Sequence, residues 1–245
     1  MSYRNIVLTG ASSGLGRALA LELATPGVTL HLSGRDAARL SAVAAEVQAR
    51  GAGTTEMLLD VTDRDAMAAW VQGIPGLDLV IANAGISAGP GQGHFEGSGQ
   101  TRAVFATNVD GVFNTVLPAL ERRCRHIVII GSIAGLIALP TSPAYSAAKA
   151  ALDFWVRGVA PRAAREGITL TIVRPGFIRT PLTAKNPYAM PGLMESEQAA
   201  KIIATGIARG QRSITFPHWL ASLAWFGNLL PKQLFSRVPG KPLQT

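Results

Sequence analysis

Cysteine, long apolar runs and long basic runs are scarce or missing in this 245-residue sequence. The single cysteine, Cys124, cannot form an internal disulfide, which excludes a disulfide-stabilised secreted scaffold and fits the reducing cytosol. It follows two arginines near an expected helix end, where we interpret it as structural. No apolar run reaches the ~18 residues that cross a bilayer, and the start of the chain leads into an expected strand without a signal peptide. We therefore expect a cytoplasmic protein.

Acidic residues are outnumbered by basic ones, and the formal net charge is +8. Excess positive charge suits an anionic cofactor, an acidic surface or simple solubility. Nucleic-acid binding is not expected, because no long Lys/Arg run with aromatics and no DNA- or RNA-binding motif is present. No metal site is expected either, because the histidines are widely spaced and form no ligand cluster. They are His31, His94, His126 and His218.

What the sequence does contain is an alternation of strand-like and helix-like segments. Hydrophobic residues make up 48% of the chain and charged residues 16%, which allows one large domain with a sizeable core. Strands are expected over 5–9, 28–33, 55–59, 77–82, 125–130, 168–173 and 212–216, and helices over 17–23, 37–50, 63–72, 101–122, 145–165 and 195–208. This order predicts a single α/β domain over 1–245. Its fold is Rossmann-like and doubly wound, with about seven parallel strands flanked by helices and an amphipathic C-terminal extension over 217–245.

A glycine-rich turn follows the first strand and leads directly into the first helix. Glycines let the backbone approach a pyrophosphate closely, and a helix N-terminus offers free N–H groups and a positive dipole end. The alternative is an ordinary tight turn. The residues expected to bind a dinucleotide here are Gly10, Ser12, Ser13, Gly14, Leu15 and Gly16.

The end of the second strand indicates which dinucleotide is bound. An acidic residue that would hold the ribose hydroxyls is missing, and Arg35 follows Ser33 and Gly34 at once. A guanidinium suits a 2′-phosphate through paired, charge-assisted hydrogen bonds, which predicts NADP(H) over NAD(H). A solvated loop charge is the alternative for Arg35. Asp36 is expected to be the N-cap of helix 37–50.

Further cofactor contacts are expected at the ends of later strands, because ligands of open α/β sheets bind outside the carboxyl ends of the strands. Asp60 could accept a hydrogen bond from the adenine amino group, or it could cap helix 63–72. Thr180 is available to hold the carboxamide of a nicotinamide. The expected contacts are Asp60, Val61, Asn83, Ala84, Gly85, Pro175, Gly176, Ile178 and Thr180.

An acid/base pair is predicted on helix 145–165. Tyr145 and Lys149 are one helical turn apart and therefore share a face. A phenol has a pKa near ~10, and a neighbouring ammonium lowers that pKa and makes the tyrosine usable as a general acid or base. The alternative is an exposed surface pair. Ser132 ends the fifth strand, and Asn108 is a polar residue on an otherwise apolar helix, where a satisfied buried amide is the alternative.

These residues together resemble the short-chain dehydrogenase/reductase family over about residues 5–216. The matching motifs are Thr9-Gly-Ala-Ser-Ser-Gly-Leu-Gly16, Asn83-Ala-Gly85, Asn108, Ser132, Tyr145-Ser-Ala-Ala-Lys149, and Pro175-Gly176 with Thr180. They fall in the family's order and spacing. One departure is Ala82, where the family often has an asparagine, and it bears on strand packing only.

The resemblance implies a role for each matching residue in hydride transfer between a nicotinamide and a small carbonyl or alcohol substrate. Tyr145 would be the general acid in carbonyl reduction and the general base in alcohol oxidation. Ser132 would hydrogen-bond the substrate oxygen. Lys149 would act on Tyr145 and bind the nicotinamide ribose, so both residues also count as cofactor contacts. Asn108 would hold a water that relays protons from Lys149.

Assembly and alternative functions also follow from the resemblance. The family commonly forms homodimers or homotetramers, in which helices 101–122 and 145–165 would pair with their copies. A catalytically silent NADPH-binding regulatory protein on the same fold is the alternative function, and retention of the tyrosine, lysine and serine disfavours it. A sugar-nucleotide epimerase relative would need a larger C-terminal substrate domain than this chain has after residue 190.

The loops and the C-terminal region carry no motif that identifies the substrate. Loop 86–100 contains His94, which we expect to be a loop residue, and loop 181–192 is expected to be a lid or substrate loop. No acidic residue follows Glu197, and 217–234 is rich in Trp, Leu and Phe. Such a segment could pack on its own protein or a partner subunit, cap the substrate cleft, or make peripheral membrane contact through 217–237. It hints at a lipophilic substrate.

Overall fold

Seven parallel strands form one sheet in the computed structural model, which describes residues 2–87, 96–184, 186 and 189–227. The strands of this sheet are β1 (Asn5–Leu8), β2 (Thr29–Gly34), β3 (Gly53–Leu58), β4 (Leu79–Ala82), β5 (His126–Ile130), β6 (Thr169–Pro175) and β9 (Ser213–Phe216). Two short strands between β6 and β9, β7 (Ile178–Arg179) and β8 (Met194–Glu195), pair with each other in parallel and form a separate sheet. Their order in the sheet is β3-β2-β1-β4-β5-β6-β9. Since the chain order reverses between β1 and β4, a crevice opens there at the carboxyl ends of the strands.

Helices cover both faces of this sheet. They are α1 (Gly14–Leu23), α2 (Ala37–Ala49), α3 (Arg64–Gly73), α4 (Ser98–Phe105), α5 (Gly111–Glu121), α6 (Pro143–Arg165), α7 (Ser196–Ala208) and α8 (His218–Gly227). A π-helical segment, Ala106–Asp110, joins α4 to α5, and a 3₁₀ turn, Ile133–Leu136, follows β5. The described residues thus form one α/β domain of the predicted class.

The central strands of the sheet are buried on both faces. Every residue of β4 and β5 is buried, as expected for strands covered on both faces. One core cluster joins the sheet to α1, α2 and α7, and the other joins it to α3, α5 and α6. Each cluster contains side chains with no measurable exposure, such as Leu19 in the first and Leu152 in the second.

The helix predicted over 101–122 is interrupted in the structure. The amide of Asn108, inside the π-helical segment, bonds both backbone polar groups of Ile86. A π-type bulge accommodates one extra residue within a helix, and such bulges are frequent at functional sites. The helix predicted over 145–165 begins earlier, at Pro143, because proline is well suited to the first turn of a helix.

Cys124 and His126 belong to the core. Burial raises the pKa of the Cys124 thiol to about 11, which agrees with a structural side chain. Burial also lowers the pKa of His126 to about 4, and its ring bonds the Tyr3 hydroxyl and the Thr171 hydroxyl. Within the described ranges, no group of three or more His, Cys, Asp or Glu residues is placed to hold a metal ion.

The C-terminal extension is described as far as α8, which packs against the 3₁₀ turn and β9. Among the described residues, none of the helices combines the length and apolarity needed to cross a bilayer. The expected membrane contact through 217–237 lies partly outside the described residues, which end at 227, and His94 lies outside them altogether. That contact and the cytoplasmic location stay predictions.

The packing of the 3₁₀ turn on α6 generates a stability prediction. A Cβ at Gly135 would lie 2.8 Å from the carbonyl carbon of Lys149 and 2.9 Å from the amide nitrogen of Ala150. Because backbone cannot move aside cheaply, we expect Gly135→Ala to lower the free energy of unfolding by about 1–3 kcal/mol. Urea denaturation followed by circular dichroism measures this value.

The matched control is Gly99→Ala in α4, where an added Cβ would meet no atom within 4 Å. We expect this variant to be unchanged or more stable by about 0.5 kcal/mol, because alanine is the better helix former. Equal free energies of unfolding for the two variants would contradict the packing described for Gly135.

Candidate active site

The glycine-rich turn after β1 is fixed by hydrogen bonds to the end of β4. The Asn83 side-chain amide donates to the carbonyl oxygens of Thr9 at 3.0 Å and Gly10 at 3.3 Å. In return, the Thr9 hydroxyl accepts from the backbone N–H groups of Asn83 at 3.0 Å and Ala84 at 3.1 Å. A Cβ at Gly16 would lie 2.0 Å from the Gly10 carbonyl oxygen, so only glycine fits there. The turn after β1 is therefore fixed to the end of β4 where it lines the crevice.

The N-terminus of α1 opens onto this crevice. Its N-cap residue, Ser13, makes no side-chain capping bond, and no acidic residue lies in the first turn. The first N–H groups of a helix have no partner within the helix, and they carry the positive end of its dipole. This end of α1 is thus suited to hold an anionic group such as a pyrophosphate.

Thr180 lies across the crevice from α1. A Cβ at Gly14 would lie 3.1 Å from the Cβ of Thr180, which measures how closely the two segments approach. The turn that carries Thr180 is held by Thr183, whose hydroxyl donates to the Ile178 carbonyl oxygen at 2.6 Å and accepts from the Thr180 N–H at 3.0 Å. Thr180 is therefore held at the crevice by local bonds.

Two arginines stand at the end of β2. Arg35 donates from Nη1 to the Asp60 carboxylate at 3.3 Å, and its side chain is 64% exposed. Arg39 donates from Nε to Asp36 at 2.8 Å. Asp36 also accepts from the Arg39 backbone N–H, which confirms it as the N-cap of α2. The carboxylate that follows β2 most closely in the sequence, that of Asp36, is thus already engaged in capping α2.

Asp60 does not cap α3, because the N-cap of that helix is Asp63. Instead, Asp60 closes a local turn by accepting from the backbone N–H and the hydroxyl of Thr62. The Thr62 N–H contributes most to the lowered pKa of the Asp60 carboxyl, and Arg35 also lowers it. A contact with adenine stays a prediction.

All the residues predicted to contact the cofactor line one continuous cleft with a volume of about 300 Å³. Residues that sequence reasoning missed line it too. They are Ser33, Gly34, Asp36, Arg39, Leu59, Ile86, Thr107, Ile130, Gly131, Pro181, Leu182 and Thr183. Arg39 could have been found from its spacing, since it follows Arg35 by four residues and the first turn of α2 lies between them. Most of the others neighbour predicted residues in the sequence.

Ser132, Tyr145 and Lys149 also line this cleft. The ammonium of Lys149 lies 5.7 Å from the centroid of the Tyr145 ring and donates to the Ile130 carbonyl oxygen at 2.8 Å. The Lys149 side chain is fully buried, and burial lowers its pKa to about 8. The Ser132 hydroxyl accepts from the Ala134 N–H at 3.0 Å, which orients it at the start of the 3₁₀ turn.

Asn108 lies behind the cleft and does not line it. Its amide oxygen accepts from the Ile86 N–H and its amide nitrogen donates to the Ile86 carbonyl oxygen, both at 2.8 Å. This is the satisfied buried amide considered above. A Cβ at Gly85 would lie 3.2 Å from the Asn108 amide oxygen and 3.8 Å from Lys149 Nζ, so the two side chains flank the same backbone. The proton relay stays a prediction.

A second cavity, of about 340 Å³, adjoins the cleft. Ser132 and Tyr145 line both, so the hydroxyl groups stand where the two spaces meet. Its walls come from the 3₁₀ turn, the segment that follows it, the turn after β7, and α8. The residues are Ser87, Ser132, Ile133, Ala134, Ile137, Leu139, Ser142, Tyr145, Gly176, Phe177, Leu182, Thr183, Asn186, Leu220, Leu223 and Ala224. Ser132, Tyr145 and Gly176 belong to the motifs quoted above, whereas the other wall residues belong to none.

Comparisons with known proteins agree with this architecture. The family profile described as short chain dehydrogenase matches residues 4–190. An uncharacterized oxidoreductase of Myxococcus xanthus is 39% identical, with 96% of each chain covered. An uncharacterized oxidoreductase of Mycobacterium tuberculosis is 31% identical, with 97% of this chain and 98% of the relative covered.

Solved structures show the same fold. A short-chain dehydrogenase from Sphingobium yanoikuyae in complex with NADPH superposes with a TM-score of 0.81 at 23% identity, covering 97% of each chain. A short-chain dehydrogenase/reductase from Burkholderia phymatum in complex with NAD superposes with a TM-score of 0.82 at 22% identity, covering 100% of this chain and 99% of the other. Family profile, relatives and fold agree, and the chain belongs to the short-chain dehydrogenase family of oxidoreductases.

Proposed function

We propose that this protein is an NADP(H)-dependent oxidoreductase that interconverts a small carbonyl compound and the corresponding secondary alcohol. One observation carries the proposal: Ser132 and Tyr145 line both the glycine-lined cleft and the second cavity, and Lys149 lines the cleft beside Tyr145. A dinucleotide in the cleft and a substrate in the cavity would meet at these hydroxyl groups. The nicotinamide cofactor, when bound, supplies or accepts the hydride.

The residues of the cleft fit such a cofactor. The glycines of the first turn leave room that a Cβ would fill, and the uncapped N-terminus of α1 suits a pyrophosphate. Thr180 stands opposite α1, where it would hold the carboxamide. Lys149 would bind the ribose hydroxyls, since its ammonium has one carbonyl partner and two more protons to donate.

The chain's own residues then manage the proton and the developing charge. In carbonyl reduction, Tyr145 gives its phenolic proton to the carbonyl oxygen while a hydride reaches the carbonyl carbon, and the product is the alcohol. In oxidation, the Tyr145 phenolate takes the alcohol proton as the hydride leaves. Ser132 donates a hydrogen bond to the same oxygen, where alkoxide charge develops. The cationic Lys149 stabilises the phenolate by charge.

The preference for NADP(H) rests on Arg35 and Arg39. Both line the cleft at the end of β2, where a 2′-phosphate would lie, and neither β2 nor its end contributes a free carboxylate. Arg39 supplies a second guanidinium beside that of Arg35, and sequence reasoning did not predict it. Both side chains are more than half exposed and paired with aspartates, so each can turn toward a phosphate at small cost.

We further propose a homodimer or homotetramer assembled through α4, α5 and α6. Each of the three helices exposes a large apolar side chain, and Phe105 on α4 is 37% exposed. Phe154 on α6 is 72% exposed and Leu117 on α5 is 44% exposed. Contact between copies of these helices would cover them.

The acid/base role of Tyr145 predicts the effect of removing only its hydroxyl group. We expect Tyr145→Phe to lower kcat for NADPH-dependent ketone reduction by about 10²- to 10⁴-fold, because the general acid is lost. Fluorescence titration should still show NADPH binding, with a change in Kd far smaller than the change in kcat, because Tyr145 is one of many residues that line the cleft. Turnover near the wild-type level would exclude Tyr145 as the acid.

The arginine pair predicts cofactor selectivity. We expect Arg35→Ala to raise the Kd for NADPH by about 10- to 100-fold, the value of a charge-assisted hydrogen-bonding group, and to leave the Kd for NADH unchanged. Arg64→Ala removes the same charge at the start of α3, outside the cleft, and is the matched control. Equal losses of NADPH and NADH affinity in Arg35→Ala would contradict the assignment.

The lowered pKa of Lys149 predicts a pH dependence of cofactor binding. The ammonium is present below its pKa of about 8 and is lost as the pH rises through that value. Because only the cation attracts an anionic cofactor, we expect NADPH affinity to fall by several-fold between about pH 7 and about pH 9. Lys149→Met should bind more weakly without this dependence. The same pH profile in both proteins would show that another group is responsible.

A further inference from the structure

We propose that the substrate is an uncharged, largely apolar ketone or secondary alcohol, and that α8 sets this specificity as one wall of the second cavity. The inference rests on the proposed hydride-transfer function and names the class of compound on which it acts. It is carried by the composition of the cavity, by its continuity with the reacting groups and by the way α8 is anchored.

The cavity is the space into which a substrate attached to the reacting carbonyl must extend. Ser132 and Tyr145 line both the cavity and the cofactor cleft, and Gly176, Leu182 and Thr183 continue the shared boundary. A carbonyl oxygen that reaches the two hydroxyl groups from the cavity side therefore leaves its substituents among the cavity walls.

Those walls carry no charged side chain among the residues that the structure describes. Aliphatic side chains dominate them, including Ile137 and Leu139 from the segment after the 3₁₀ turn and Leu220 from α8. The polar members are neutral, such as Ser142 and Asn186. A carboxylate or phosphate buried there would lose hydration without an ionic partner, which is costly. An alkyl or aryl group would gain by leaving water.

The position of α8 is set by close contact with two glycines. The Gly176 N–H donates to the Phe216 carbonyl oxygen at 2.7 Å, and a Cβ at Gly176 would lie 2.9 Å from Pro217 and 3.2 Å from Leu220. A Cβ at Gly192 would lie 3.1 Å from the Trp219 ring. The first turn of α8 is therefore seated against the backbone beyond β6 and before β8.

One face of α8 lines the cavity through Leu220, Leu223 and Ala224. Leu220 and Ala224 are one turn apart; Ala224 is buried, whereas Leu223 is 61% exposed and therefore borders solvent as well as the cavity. Substituents of increasing length should thus cover more of this face. Each methylene that leaves water is expected to raise kcat/KM by about fourfold until the cavity is filled.

The experiment compares methyl ketones from 2-butanone to 2-decanone with 9-oxodecanoate, which has the same ten-carbon chain with a terminal carboxylate. Purified full-length protein is assayed for NADPH oxidation. We expect kcat/KM to rise with chain length and to be at least about tenfold higher for 2-decanone than for the keto acid. A flat or falling series, or equal rates for 2-decanone and the keto acid, would overturn the inference.

A charge placed on the wall tests the role of α8 itself. In Leu223→Arg, a guanidinium at this exposed position of the wall should lower kcat/KM for 2-decanone and shift the preference toward 9-oxodecanoate by about tenfold. Because Leu223 is mostly exposed, the variant should fold, and a thermal unfolding curve checks this. Ser222→Arg adds the same charge one position earlier, where the side chain does not line the cavity, and should keep the wild-type preference. Equal behaviour of the two variants would remove α8 from the specificity site.

Cofactor and substrate measurements separate the two proposals. If NADPH does not bind, the proposed function fails. If NADPH binds but no ketone is reduced, binding of 2-decanone and of 9-oxodecanoate to the NADP⁺ complex is measured by calorimetry. Selective binding of the neutral compound would uphold the substrate class. Absence of binding by 2-decanone, or equal binding of both compounds, would overturn it.

Discussion

The hydrogen bonds between Asn83 and the turn after β1 are the interaction on which the rest of the site depends. They tie the ends of β1 and β4 together at the place where the sheet reverses its order. With that turn fixed, the Gly10 carbonyl can lie against Gly16, and the N-terminus of α1 faces the crevice. A side chain at Gly16 would meet the Gly10 carbonyl oxygen, and one at Gly10 would meet the backbone of Ala84 at 2.8 Å, so either would disturb this junction.

Lys149 lines the same cleft as this turn and lies beside the Tyr145 ring. Its ammonium is buried, has no carboxylate partner within the part of the chain that the structure describes, and bonds the carbonyl oxygen of Ile130, the last residue of β5. A buried cation with so few protein partners is unfavourable unless the site uses its charge, and the lowered pKa records that cost. The contact of Gly135 with the backbone of Lys149 ties the 3₁₀ turn that begins after Ser132 to the same point. β5 and the 3₁₀ turn therefore both contact Lys149 of α6.

Local sequence was enough to predict the seven strands, the Asp36 cap and part of the lining of the cleft, because each depends on a short pattern of apolar, glycine or capping residues. Twelve further lining residues were not predicted. The interruption of helix 101–122 could not be predicted, since it depends on a distant bond to Ile86. The pair β7 and β8 has two residues in each strand, too few for a periodic signal. The second cavity was missed because its wall residues come from separate segments and share no motif. Only the loop 181–192, expected to be a lid or substrate loop, and the apolar character of 217–234 pointed toward it.

The placement of α8 after the last strand of the sheet has an evolutionary consequence. The cofactor cleft is built almost wholly from residues before 184, whereas one wall of the adjoining cavity comes from a short helix near the end of the chain. Mutations in that helix can accumulate, or the segment can be exchanged by recombination, while the residues of the cleft upstream are inherited unchanged. A lineage of such proteins could therefore diversify in the compounds that it uses through drift in its final segment alone.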